Sequence, residues 1–252
     1  MQQKERAQRL AALHVKGNPL VLHNAWDAGS AKAIASAGST VIATSSWAVA
    51  AAHGYEDGES IPLSVVEHIS ARIVGAVEVP VTVDVEGGYS DDPRVCAENV
   101  ARLIDQGVAG INFEDRIVSG TGLHGIHAQC ERITAIRRMA DARGIPLFIN
   151  ARTDLFFGTG AASVNGLAEA RERATAYAEA GASGYFVPGL IDLHTIAVLC
   201  DAIDLPMNVM TMPGLPDVQA LADAGVARIS HGPGPYLRAM EAVRAAAQGV
   251  LR

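Results

Sequence analysis

Eight times along the chain a short β-rich run is followed by a longer Ala-, Leu- and Arg-rich stretch with helical spacing. The runs predict strands near Leu20–Asn24, Thr40–Thr44, Val79–Val85, Gly110–Glu114, Pro146–Ala151, Gly184–Val187, Pro206–Val209 and Arg228–Ser230. Helix signals separate them: Asp91-Asp92-Pro93 opens one amphipathic stretch, and Gly144 closes the helix that begins near Ala128. Ala37-Gly38, Gln106-Gly107, Ala180-Gly181 and Ala224-Gly225 each put glycine where a left-handed C-terminal cap is wanted, with a strand soon after. Repeated βα units of this kind build parallel sheets, because parallel neighbours need a helical crossover. Eight of them close a (β/α)8 TIM-type barrel. A doubly wound open sheet uses the same units, but the count and length favour the barrel. No Pro-, Gly- and Ser-rich linker interrupts the pattern, so residues 1–252 are expected to form one α/β domain, with Met1–Asn18 as a leading helix and Pro235–Arg252 as a terminal one.

Composition bounds the partners. Apolar residues at 49% and charged residues at 19% supply a core and leave too little charge for a disordered chain. The net charge is -7 and the basic residues are scattered, which argues against nucleic acid or an anionic membrane as the main partner. A small anion remains compatible, since backbone amides and one arginine suffice to hold it. Cys96, Cys130 and Cys200 lie far apart without a CxxC pair, so neither structural zinc nor a disulfide framework is expected, and Cys130 reads as a packing residue. The polar start from Met1 to Leu10 lacks the apolar stretch of a signal peptide, and no apolar run approaches the roughly 20 residues of a membrane span. A cytoplasmic location is the expectation.

Barrel strand bodies are buried, so polar residues at their C-terminal ends carry the information. The third strand ends Val83-Asp84-Val85-Glu86-Gly87-Gly88, and strand alternation points Asp84 and Glu86 to one side. The fourth ends Ile111-Asn112-Phe113-Glu114-Asp115. Carboxylates converging from adjacent strands suit a hard, oxygen-loving cation, Mg²⁺ first and Mn²⁺ as a substitute. Helix capping or pairing with arginines is the competing use of any one of these acids. The fifth strand ends Asn150-Ala151-Arg152-Thr153-Asp154, and the Arg152 guanidinium either holds a substrate carboxylate bidentately or pairs with a neighbouring acid. The second ends Thr44-Ser45-Ser46-Trp47, ahead of His53-Gly54-Tyr55-Glu56-Asp57, a turn whose amides and hydroxyls suit an anion. Asn208 ends the seventh strand facing the mouth, and His231-Gly232-Pro233-Gly234 is either a phosphate turn or a simple strand terminator.

Four phrases, in order and at barrel spacing, carry a resemblance: Asn24-Ala25-Trp26-Asp27-Ala28-Gly29-Ser30, Val83-Asp84-Val85-Glu86-Gly87-Gly88-Tyr89, Gly110-Ile111-Asn112-Phe113-Glu114-Asp115 and Asn150-Ala151-Arg152-Thr153-Asp154. From about Asn24 to the last helix the chain resembles the isocitrate lyase and phosphoenolpyruvate mutase superfamily, in particular its short, mutase-like members. The resemblance implies Mg²⁺ on Asp84, with Glu86, Glu114 and Asp57 completing its shell mainly through water; Glu86 stands where the family usually has aspartate. It further implies that Ser45, Ser46 and Trp47 hold the substrate's acidic group, that Arg152 bonds its oxygens, and that the ligand is a small 2-oxo acid or its phosphonate analogue. The expected chemistry is cleavage or rearrangement of a C–C or P–C bond through an enolate, with a carbon–carbon lyase favoured.

The loop after Glu114 departs from the family. Gly122 stands at the position of the lyase cysteine and Gly120 at that of its lysine, and the lysine and asparagine of the mutase version are missing too. His124 aligns with the histidine of the lyase phrase and joins Arg152 and Asp57 as a catalytic candidate. Loss of the loop acid/base motivates a second expectation, a 2-oxo acid binding or sensing protein that does not turn its ligand over. A barrel enzyme holding a phosphorylated ligand at Gly232–Gly234 is the third. The resemblance also implies a homo-oligomer, a tetramer or dimer in which the terminal helix is exchanged.

Overall fold

In the computed structural model, which describes residues 2–157 and 166–250, nine parallel strand segments form one curled sheet. They are β1 (Leu20–Leu22), β2 (Asn24–Ala25), β3 (Ile42–Thr44), β4 (Val81–Asp84), β5 (Gly110–Glu114), β6 (Phe148–Arg152), β7 (Gly184–Phe186), β8 (Met207–Met210) and β9 (Arg228–Ser230). β1 pairs with β9 and β2 with β3, so the first predicted strand is two segments parted at His23 that join the two ends of the sheet. The architecture is the α/β TIM-type barrel expected from the repeated units. Strands β4, β6 and β8 each begin one or two residues later than predicted, because Pro80, Pro146 and Pro206 lack the amide a ladder needs.

Ten helices are described: α1 (Gln3–Ala12), α2 (Ala28–Ser36), α3 (Ser46–Ala52), α4 (Leu63–Val74), α5 (Pro93–Asp105), α6 (Ile126–Ala142), α7 (Gly166–Glu179), α8 (Leu193–Ala202), α9 (Val218–Asp223) and α10 (Gly234–Val250). Asp92 caps α5 by accepting from the amides of Arg94 and Val95 at 2.8 and 3.2 Å, ahead of Pro93 in the first turn. Gly38, Gly107, Gly181 and Gly225 all take positive φ, as the recurring cap phrase required. The leading helix is shorter than expected. α1 stops at Ala12 and a tight bridge joins Val15 to Asn18, while Met1 lies outside the described residues. Leu251 and Arg252, at the end of the predicted terminal helix, lie outside them too. α10 buries none of its described residues, and Leu237 and Val243 are exposed on it.

The core between sheet and helices is continuous from Ala25 to Ile229, and Cys130 packs against its edge as a half-buried side chain. A second cluster closes the N-terminal end of the barrel, where Ala7 and Leu10 of α1 pack against Leu22, Val41, Ala43, Ala109 and Phe148. Gln3 fastens the plug by donating to the carbonyls of Ile104 and Val108 at 2.7 and 3.0 Å. Gly110 makes the fit possible: a Cβ there would stand 2.6 Å from Leu10 Cδ2 and 2.9 Å from the Phe148 carbonyl oxygen. Gly110→Ala is therefore expected to cost about 1–3 kcal/mol through overpacking, read as a thermal midpoint lower by several degrees. An unchanged midpoint would show that α1 does not press on β5. With one end plugged, the functional groups gather at the other.

Candidate active site

β4 delivers Asp84 to the open end of the barrel. Its amide donates to Thr44 Oγ1 at 2.9 Å, and its Oδ2 accepts from the Ser46 hydroxyl at 3.0 Å. The strand ends there. Glu86 is not a further alternating strand residue but sits in the left-handed region at φ 51°, and its Oε2 accepts the Glu59 amide at 2.9 Å. Asp84 and Glu86 do line a common pocket, but not by strand alternation: the pleat stops at Asp84, and the turn after it carries Glu86 there. Glu59 and Tyr89 are the other non-glycine residues with positive φ among those described, and the Tyr89 amide donates to Glu59 Oε1 at 2.7 Å. Strained backbone is held together at this spot by hydrogen bonds between the strained residues themselves.

The register of β5 on β6 sets Glu114 beside Arg152. Arg152 Nη1 lies 2.8 Å from Glu114 Oε2, and its Nε and Nη2 grip Asp154 at 2.5 and 2.8 Å. The guanidinium also lies against the rings of Phe157 and Phe186, 5.4 and 5.9 Å from their centroids. Burial acts to lower its pKa, but Glu114, Asp154 and Asp84 together hold it above the usual arginine range. Burial pushes the Glu114 carboxyl up, opposed by Arg152.

Asp84 and Arg152 meet in a cleft of about 120 Å³ at the barrel mouth. It brings together Ser45, Ser46, Trp47, Asp57, Asp84 and Arg152 from the predicted set, and Gly232 and Pro233 from the last strand's turn. Ser45 caps α3 by accepting the Ala48 amide at 3.4 Å, while Ser46 is turned onto Asp84. Trp47 stands at the rim, edge-to-face with Tyr236 at 6.0 Å between ring centroids. Four predicted site residues do not line the cleft. Glu86 faces a neighbouring pocket together with Asp84, Ser46 and Tyr89. Glu114 is buried behind Arg152, which answers whether that arginine pairs with a neighbouring acid. Asn208 is fully buried and bonds Ser230 at 3.3 Å. His124 points its Nε2 at Asp91, 3.3 Å away, because its loop is pinned at both ends: its amide donates to the Asp115 carbonyl at 2.7 Å, and Arg116 bridges to Leu123. Burial and the Arg132 charge lower the His124 pKa.

Residues the sequence reading did not single out also line the cleft: Asn24, Asn112, Phe157, Phe186, Met210 and Ser230. Asn24 and Asn112 carried a usable signal, a polar amide inside an otherwise apolar strand. Each is tied into the barrel, Asn24 donating to the Thr44 carbonyl at 2.8 Å and Asn112 accepting from Asn150 at 2.9 Å.

The electrostatics of the mouth are lopsided. Burial pushes the Glu86 carboxyl up to about 8, with the charges of Asp84 and Asp57 adding to it. Asp57, exposed as a residue yet part of the cleft wall, is raised by burial and then by Asp84. Glu86 and Asp57 are thus both held toward their neutral forms, in part by the charge of Asp84, and the arginine beside them is already shared between two other acids. Among the described residues no three His, Cys, Asp or Glu side chains converge closely enough to ligate one ion directly. That donor set fits a cation that keeps its waters, as Mg²⁺ does, resting on one carboxylate and reaching the others through solvent.

The family model described as phosphoenolpyruvate phosphomutase matches residues 10–251. A crystal structure from Burkholderia cenocepacia J2315, provisionally described as a phosphonomutase, superposes with a TM-score of 0.95 at 44% identity, covering 98% of this chain and 99% of that one. 2-Methylisocitrate lyase of Escherichia coli K12 is 32% identical over 198 residues, 76% of this chain and 65% of its own length. Phosphonopyruvate hydrolase, solved with oxalate and Mg²⁺, shares the fold at a TM-score of 0.84 and 21% identity, covering 97% of this chain and 85% of that one. With the family match spanning nearly the whole barrel, the chain belongs to the phosphoenolpyruvate phosphomutase family, within the phosphoenolpyruvate mutase and isocitrate lyase superfamily of lyases and mutases.

Proposed function

We propose that this protein is a Mg²⁺-dependent enzyme that cleaves or rearranges the bond beside the carbonyl of a small 2-oxo acid or phosphono-carboxylate, with carbon–carbon cleavage the favoured reaction. The observation that carries the reading is that Asp84 and Asp57 line one cleft at the barrel mouth with the clamped guanidinium of Arg152, while the charges of both acids act on Glu86 beside it. Oxalate and Mg²⁺ held by phosphonopyruvate hydrolase on the same fold support it.

Asp84, reached directly, and Asp57 and Glu86, reached through water, are the residues that would hold the ion; Glu114 acts on Arg152 instead. When bound, the ion supplies a Lewis acid for the oxo oxygen as it gains charge. Ser45 and the start of α3 offer donors to the acidic end of the substrate. Arg152, fixed by Glu114 and Asp154 before any substrate arrives, faces the charge that develops on the enolate, and a pre-oriented donor costs no reorganisation at that moment. Trp47, Phe157 and Phe186 narrow the cleft and limit water.

A second reading, binding or sensing without turnover, has its own support. Gly120 and Gly122 stand where the family places its loop acid/base, and His124 does not line the cleft, its Nε2 lying 3.3 Å from Asp91. The two readings part on a simple assay. Purified protein is incubated with oxaloacetate, a methylisocitrate-type acid or phosphonopyruvate, and pyruvate or glyoxylate release is followed with Mg²⁺ and with EDTA. Turnover that EDTA abolishes is expected; stabilisation by oxo acids without turnover would favour the sensor, and no divalent-ion binding at all would remove both the metal and the mechanism. We propose further that the chain acts in the cytoplasm as one domain and assembles as a homo-oligomer, a reading supported by the exposed apolar side chains of α10.

A further inference from the structure

In three largely buried arginines of this barrel both terminal nitrogens are partnered. Arg152 is held by Glu114 and Asp154, Arg173 by Asp115, Glu169 and Tyr177, and Arg132 by Gln129 and two backbone carbonyls. Arg228 differs. It is 0% exposed, and its Nη1 and Nη2 have no hydrogen-bond partner among the described residues. Its only bond runs from Nε to Ser230 Oγ at 3.2 Å, two residues along β9 and on the same side of that strand. A desolvated guanidinium without an acid is costly, so a chain that keeps one in its core gains something from the charge.

The geometry of Ser230 shows what is gained. Ser230 lines the cleft, and its hydroxyl lies 3.3 Å from the side-chain amide of Asn208 as well as 3.2 Å from Arg228 Nε. A guanidinium only donates, so one lone pair of Oγ is always taken by Arg228. When Asn208 Nδ2 fills the other, the hydroxyl has no acceptor capacity left and must present its proton to the cleft. Asn208 also has the alternative of accepting from Ser230 through Oδ1, and an anion in the cleft selects between the two arrangements. Beneath this donor lies a full positive charge: burial lowers the Arg228 pKa to about 10, opposed by the charge of Asp84, which leaves the guanidinium ionised at neutral pH.

We infer that Arg228 is a positioning residue which, through Ser230 and Asn208, turns the floor of the cleft into an anion-binding surface, with Ser230 donating to a carboxylate or phosphonate oxygen of the ligand. The inference deepens the proposed function and rests on the reading of the cleft as the substrate site. It adds a contact at β9, apart from the turn at Ser45 and from Arg152.

The test uses the full-length protein and oxalate as probe, titrated by calorimetry once with Mg²⁺ and once in EDTA, with thermal midpoints recorded for every variant. Ser230→Ala and Arg228→Met are expected to weaken oxalate binding about tenfold or more, since a hydrogen bond to a charged group is worth about 1.5–3 kcal/mol, and Arg228→Lys to fall between Arg228→Met and wild type. Asn208→Asp separates positioning from mere packing. It gives Arg228 the acid it lacks, so a purely structural role predicts a protein at least as stable with oxalate binding intact, whereas the inference predicts a folded protein whose oxalate affinity drops at least as far as in Ser230→Ala. Wild-type affinity in Asn208→Asp or Ser230→Ala overturns it. Binding in EDTA that depends on Arg228, without enhancement by Mg²⁺, would sink the metal-dependent function and leave the inference standing; no oxalate binding by wild type in either arm overturns both.

Discussion

Arg152→Met is expected to lower kcat/KM by about a thousandfold, the scale on which an oriented donor to a developing oxyanion contributes. The side chain is the one cation lining the cleft among the described residues, and no neighbouring lysine or histidine there can replace it. Stability should fall with activity. Removing the guanidinium leaves Glu114 at 3% exposure and Asp154 at 7% without their partner, and breaking a buried pair in this way costs about 3–5 kcal/mol unless the acids take up protons. The two effects are separated by assaying below the variant's own thermal midpoint. Arg152→Lys keeps the charge but cannot grip Asp154 with two nitrogens while reaching Glu114, so it should recover part of the stability and little of kcat. A variant with kcat/KM within tenfold of wild type would remove Arg152 from the chemistry.

Asp84→Asn should abolish divalent-cation binding on a calorimeter, a loss of at least about 100-fold, since even outer partners of a metal cost 10–100-fold when removed. The substitution is isosteric, and Ser46 and Thr44 keep a bonding partner, so the fold is expected to survive. Proton linkage gives a second signature. Glu86 has its pKa raised to about 8 by burial and then by Asp84 and Asp57, so in the wild type a cation must displace a proton there. Cation affinity should therefore rise as pH climbs through about 8, with proton release visible as a dependence of the heat on the buffer. The sign for stability is the opposite in the metal-free protein: a carboxyl whose pKa is higher folded than unfolded stabilises below its ordinary value of 4.5 and loses that contribution as pH rises through about 8, until a cation restores it. In Asp84→Asn one like charge is gone and the Glu86 pKa falls. A pH-independent cation affinity in the wild type would show that Glu86 lies outside the ion's shell.

The barrel was legible because its cues are local. Each cap glycine, each Asp-Pro opening and each short β-branched run is decided within a few residues of chain, and the predicted runs at Gly110–Glu114 and Arg228–Ser230 match the strands to the residue. Asp84, Arg152 and Ser46 were legible for a related reason: they stand at or just after strand ends, and a barrel has one end where strand C-termini meet, whereas Asp57, beyond α3, was reached through the family resemblance. Glu86 shows where such cues stop. Its position two residues after Asp84 implied a shared face, but the chain leaves the pleat at Asp84 and the Glu59 amide draws Glu86 into a left-handed turn.

Sequence alone determined the βα repeat, the end of the barrel that carries the polar groups, and the chemical types present there. Only the tertiary structure decided which charge meets which. The register of β5 on β6 gave Glu114 to Arg152 rather than to the cleft, the pinned loop turned His124 to Asp91, and the closure of the sheet brought Arg228 and Ser230 under the site. Local propensities act over a few residues, whereas contacts such as Ser46–Asp84 and Asn112–Asn150, each 38 positions apart, are set by strand register and ring closure, which no periodicity within one segment encodes.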